Sequence, residues 1–166
     1  DTEVIDGEVY TIRSEAQLRD LIRQKKYDDV RRTCTSFIRT MSNMFASHKT
    51  FNKPIGHWDT HNVINMRRMF SSAYSFNQPI GTWDTSNVRD MTLMFYSAKK
   101  FNNPIGNWNT TKVKNMEYMF YEAFSFNQPI DTWNIRNVTN MLYMFRDSGF
   151  RQDISAWKRN YIQTSN

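Results

Sequence analysis

The sequence predicts a right-handed α/β solenoid built from 25-residue repeats and closed at its N-terminus by a helical cap. Three observations carry this. The phrase that begins Met66-Arg-Arg-Met69-Phe70 and runs on through Phe76-Asn77-Gln78-Pro79-Ile80-Gly81-Thr82-Trp83 returns at Met91, Met116 and Met141, and begins at Met41. All ten methionines, all five tryptophans and all four prolines fall on this lattice. A strict period of this length marks stacked repeats, none of which can bury its apolar face alone.

The remaining chain, residues 1–40, reads as the cap. Ser14 and Gln17 have capping-box spacing, and Leu18, Leu21 and Ile22 follow at helical intervals, so a helix is expected at about 14–26. Covering the apolar end of the first coil is what a terminal unit of a repeat array must do. Ile38 lies one period before Val63, with Thr33 in the place of tryptophan, so the lattice begins in partial form inside the cap.

Residues 41–166 hold the five repeats, starting at Met41, Met66, Met91, Met116 and Met141. Met66, Met69, Phe70 and Ala73 stand at i, i+3, i+4 and i+7, the apolar stripe of a helix. Thr40, Asn65, Asp90, Asn115 and Asn140 precede that stripe and have the side chains of helix N-caps. Proline then bars a long helix. Thr82–Thr85 alternates β-favouring and polar residues, so a short strand is expected there, with Val88 pointing inward. A parallel sheet of such strands, with the wider helices on the other side, gives a curved ladder on the leucine-rich-repeat plan. The last repeat is one residue shorter and lacks proline, Asp131 replaces glycine in the fourth, and Ile162 takes the valine place at the end.

Composition narrows the function. No apolar run approaches the length of a membrane helix, and the start Asp1-Thr2-Glu3 has none of the features of a secretory signal. A single cysteine, Cys34, rules out an internal disulfide. The net charge of +6 belongs wholly to the repeats, because basic and acidic side chains balance in residues 1–40. No nucleophile elbow, phosphate-cradling glycine loop or zinc-protease motif occurs. Like residues repeated along a line do not make a catalytic centre, so no enzyme, cofactor or metal is expected. His57 and His61 would not share a face in a strand and turn, and the methionine and tryptophan columns read as core.

A ligand would meet the columns that vary from coil to coil. On the strand side these are Thr82, Asn107 and Thr132, with Arg136; on the helix side, Arg68, Tyr74, Tyr96, Tyr118, Tyr121 and Tyr143. Tyrosine and arginine are favoured at protein interfaces, so a protein partner is expected. The alternative is a nucleic acid or other polyanion held by the basic residues. These are scattered over many columns (Lys53, Arg67, Arg89, Lys99, Lys114, Arg146), which argues against nucleic acid.

The repeat Met-x-x-Met-Phe-x-x-Ala-x-x-Phe-Asn-Gln-Pro-Ile-x-x-Trp-Asp-Thr-Ser-x-Val resembles that of the BspA-like leucine-rich-repeat surface proteins, in the variety abundant in mycoplasma lipoproteins. The resemblance covers residues 38–166. It implies a non-enzymatic module, secreted or displayed on a cell surface, that binds proteins of a host or neighbouring cell or mediates adhesion.

Overall fold

The computed structural model describes residues 1–5 and 7–157; Ile162 lies outside the described residues. The N-terminal region carries every named element: β1 (Thr2–Ile5), β2 (Glu8–Ile12), α1 (Glu15–Arg23), α2 (Tyr27–Arg31) and β3 (Thr33–Cys34). β1 and β2 form an antiparallel hairpin, and β3 joins β2 in parallel, giving a small mixed sheet in the order β1-β2-β3. The turn between β1 and β2 uses Gly7 at φ +80°. Helix α1 starts at a reciprocal capping box: Ser14 N–H donates to Gln17 Oε1 at 2.9 Å and Gln17 N–H to Ser14 Oγ at 3.2 Å. Leu18 and Ile22 of α1 and Val30 of α2 are buried in the core that runs on into the first coil.

From residue 35 to residue 154 the predicted α/β solenoid is not found: there is no helix, and no strand longer than a single bridge. Successive coils do stack in register, and parallel bridges link Thr40, Asn65, Asp90, Asn115 and Asn140 in one continuous column. The expected helix at Met66–Ala73 is a run of tight turns. Met69, Ser71 and Ala73 donate their N–H to the carbonyls of Met66, Arg68 and Phe70, three residues back. The intervening N–H groups of Met66, Arg68, Phe70 and Ser72 leave the coil and donate to Asp90, Thr92, Met94 and Tyr96 of the next one, at 2.7–3.0 Å. Arg68 and Ser72 sit at φ +55° and +57°, and the same two places are left-handed in every coil.

The stack spacing explains why turns replace helices. Equivalent phenylalanines of adjacent coils, such as Phe70 and Phe95, have ring centroids 5.6 Å apart, and Trp83 and Trp108 are 6.5 Å apart. Packed helices need 8–10 Å between axes, and they keep every interior N–H for themselves. A chain whose coils are this close must instead send its backbone donors along the stack. The expected strand at 82–85 is likewise absent. Its place is taken by turns closed by Trp83 N–H to Ile80 and Val88 N–H to Thr85. A concave sheet backed by helices, the leucine-rich-repeat plan, therefore has neither of its components here.

The core is a set of ring stacks. Phe45, Phe70, Phe95, Phe120 and Phe145 form one column and Phe51, Phe76, Phe101, Phe126 and Phe150 a second, with the two columns in contact at 3.9–4.2 Å within each coil. Tryptophan forms the third. Trp83, Trp108 and Trp133 each donate Nε1–H to the carbonyl of Ile55, Ile80 or Ile105 in the coil before. Thr60, Thr85 and Thr110 are buried with their hydroxyls on carbonyls of the following coil. Close stacking also sets the glycines, since a Cβ on Gly81 would lie 2.6 Å from the Pro104 carbonyl oxygen. Asp131 is the exception, and the coil beyond it has Asp153 where proline stood.

Candidate functional site

The residues that read as helix caps make the same kind of bond without a helix. Asn65, Asp90, Asn115 and Asn140 accept the N–H two residues on, at 2.8–3.0 Å, which is the Asx turn. The corner that follows projects a variable side chain from each left-handed position: Asn43, Arg68, Leu93, Tyr118 and Tyr143. Beside it run the columns Ala46, Ser71, Tyr96, Tyr121, Arg146 and Lys49, Tyr74, Lys99, Phe124, Gly149. The candidate residues assigned to a helix face therefore stand on turn corners.

Four of those tyrosines come together in the third to fifth coils. Tyr96 and Tyr121 stack with centroids 5.1 Å apart, Tyr118 meets Tyr121 edge-on at 5.5 Å, and Tyr118 lies 5.3 Å from Tyr143. The Arg146 guanidinium sits 5.0 Å over the Tyr143 ring. Lys99 spans Tyr74 and Phe124 at 4.7 and 5.8 Å, with Lys49 on the other side of Tyr74. Phe124, Leu142 and Tyr143 are about half exposed, at 54%, 52% and 44%. Partial desolvation, and next the Asp147 carboxylate, hold the Tyr121 phenol above its ordinary value. Arg146 joins the tyrosine face although the sequence reads it only as a scattered cation; it lies one period after Tyr121.

The remaining candidates lie in the other half of the coil. Thr82 and Thr132 are exposed, but their hydroxyls are engaged by the carbonyls of Gly56 and Gly106. Asn107 and Thr132 line a shallow cavity of about 270 Å³ between Pro104 and Pro129. Arg136 is exposed at the next turn, its N–H held by Asn134 Oδ1. Arg68 is exposed on the tyrosine side, at the corner below Leu93.

Other reactive side chains are placed apart. His57 packs on Tyr10 at 4.6 Å, whereas His61 is exposed and paired with Asp59. Cys34 is buried, with its thiol on Glu3 Oε2 at 3.0 Å and near Ser36. Among the described residues no three metal-ligating side chains converge, and no helix is long and apolar enough to cross a membrane.

No curated protein and no solved structure matches the chain. One family model does, twice and with overlap, over residues 16–124 and 82–166; its description is "Mycoplasma protein of unknown function, DUF285". That supports the mycoplasma part of the resemblance and leaves the leucine-rich-repeat part without support. Since the two matches together span almost the whole chain, the protein belongs to the DUF285 family of mycoplasma proteins.

Proposed function

We propose that the protein is a non-enzymatic protein-interaction or adhesion module, displayed at a cell surface, that binds its partner through the tyrosine face of the third to fifth coils. The observation that carries the reading is the cluster Tyr96–Tyr118–Tyr121–Tyr143 with Arg146. Tyrosine and arginine are the side chains that most often anchor interfaces. These rings already pack against one another, so little side-chain freedom remains to be lost on binding. Tyr118 and Tyr143 also occupy left-handed backbone, at φ +53° and +54°. Asn43, in the same column of the first coil, is the residue type that tolerates that geometry. Bulky rings there are a strained choice for stability alone, which supports selection by a partner.

The test compares the wild-type chain with Tyr118→Ala/Tyr121→Ala/Tyr143→Ala and with a distant control, Val4→Ser/Val9→Ser, in cross-linking capture from host-cell surface extract. A partner captured by the wild type and the control but lost by the triple variant, with its melting midpoint retained, supports the reading. Equal capture by all three proteins rejects it.

A further inference from the structure

The basic residues are not all scattered. Arg89, Lys112 and Lys114, with Asn137, line one surface cavity of about 280 Å³ spanning the second, third and fourth coils. Arg89 and Lys114 are stacked neighbours, because Lys114 N–H donates to the Arg89 carbonyl at 2.9 Å. Lys112 lies two residues before Lys114, and its ammonium is tethered to the neutral Asn87 Oδ1 at 2.7 Å. None of the three cations enters an ion pair among the described residues. No carboxylate lines the cavity, so its three like charges repel one another.

The turn chemistry nearby sharpens this. Asp59 and Asp84 of the first two full coils have Asn109 and Asn134 as their successors, and Asp90 is followed by Asn115 and Asn140. An Asx turn needs only one side-chain oxygen, and each Asn supplies it: Asn109 to Thr111, Asn134 to Arg136, Asn115 to Glu117, Asn140 to Leu142. Asp and Asn are thus equivalent for folding at these places and differ in charge. The neutral form flanks Lys112, Lys114 and Asn137, whereas Arg89 is followed directly by Asp90. From Asn102 to Met116 and from Thr132 to Arg146 there is no acidic residue at all.

We infer that Arg89, Lys112 and Lys114 form a binding site for a single phosphate or sulfate group, with Asn137 on its rim. An oxyanion there offsets the mutual repulsion and accepts charge-assisted hydrogen bonds, including the bidentate pair that a guanidinium offers. The cavity suits one tetrahedral group and not a long strand. The site is separate from the tyrosine face and does not rest on it.

The test is a titration of the whole chain with inorganic phosphate, followed by backbone amide shifts. Saturable shifts confined to residues 87–89, 112–114 and 137 are expected. Lys112→Gln/Lys114→Gln should weaken binding on the order of tenfold, from the loss of charged hydrogen bonds. Asn109→Asp keeps the turn and folds like Asp84, yet should also weaken binding by restoring a carboxylate. Inorganic sulfate, a sulfated disaccharide and a mononucleotide should compete for the same amides, and the tightest of them identifies the source of the group. The Tyr118→Ala/Tyr121→Ala/Tyr143→Ala variant should titrate unchanged. Shifts spread over all surface cations, or binding indifferent to Lys112→Gln/Lys114→Gln, would overturn the site.

Discussion

The N-terminal region and the coils solve the same problem by opposite means. Residues 1–34 keep their hydrogen bonds local, within a hairpin and two short helices, and trim their surface with ion pairs such as Arg19–Glu15 and Arg31–Glu8. Among the described residues the much longer run of coils has only His61–Asp59 and Arg146–Asp147 within it, with Lys53–Asp28 across the seam. They export alternate backbone donors to the next coil and bury rings in columns. Stability is local in the first region and shared between neighbours in the second. The seam between them shows the mismatch. Trp83 finds the Ile55 carbonyl one coil back, but the residue at the same offset from Trp58 is Val30, inside α2, and Trp58 Nε1–H is buried without a partner.

Removing a shared ring gives the largest effect. Trp108→Ala should lower the unfolding free energy by about 3–5 kcal/mol, as for large core aromatics, read from the urea midpoint. If the coils were independent, the loss would be confined to one coil; a single transition moved as a whole is expected.

Glycines in the two regions should respond differently. Gly81→Ala forces a Cβ to within 2.6 Å of a rigid carbonyl oxygen and should cost about 1–3 kcal/mol by overpacking. Gly7→Ala meets no atom within 4 Å and has only its φ of +80° to oppose it, at about 1 kcal/mol. Equal losses would mean that coil spacing adjusts freely.

The seam predicts a smaller asymmetry. Trp108→Phe gives up the bond to Ile80, worth about 1 kcal/mol, and Trp58→Phe has no such bond to lose. Trp58→Phe should therefore be the milder change by about that amount, measured by paired denaturation curves.

Acid should test the seam without mutation. Burial lowers the pKa of both His48, which takes part in a hydrogen bond with Tyr27, and His57, which packs on Tyr10; the charges of Lys25 and Arg31 add to it. A histidine lowered in the folded state binds its proton first in the unfolded chain. Stability is therefore complete above the ordinary histidine value near 6.5 and declines as pH falls through it. Amide protection, corrected for the intrinsic pH dependence of exchange, should fall in α2 and the first coil between about pH 6.5 and 5, above the ordinary carboxylate values. Protection in the fourth coil should not change over that range.

The smallest effect should be a gain or no change. Tyr143→Asn places a residue tolerant of left-handed backbone at φ +54°, with relief of up to about 1 kcal/mol, while removing an anchor of the proposed face. A clear loss of stability would show that the ring itself supports the last coil.

Much of this was legible before the structure. The period placed Met66, Met69, Phe70, Trp83 and Val88 in the core, and all are buried. The helix was not legible as an error, because turns repeating every four residues put Met66, Met69, Phe70 and Ala73 inward just as a helix would. The caps misled for a related reason: an Asn side chain that takes the N–H two residues on can start a helix or an Asx turn. What separates the two is coil spacing, a property of the stack that no single repeat contains. Site legibility followed the same line. Columns could be counted, so Tyr96 and Tyr121 could be aligned; that Thr82 and Thr132 spend their hydroxyls on Gly56 and Gly106 could not.

The donors that run along the stack also fix how the molecule answers to force. Pulled from its two ends, it presents its inter-coil bonds in line with the load, so they open one layer at a time instead of resisting together in shear. Each layer that peels away releases 25 residues, the spacing of successive methionine pairs, or roughly 85 Å of extended chain. A force–extension trace should be a low staircase with equal steps. A tether built this way lengthens under strain and re-forms layer by layer when the strain is released.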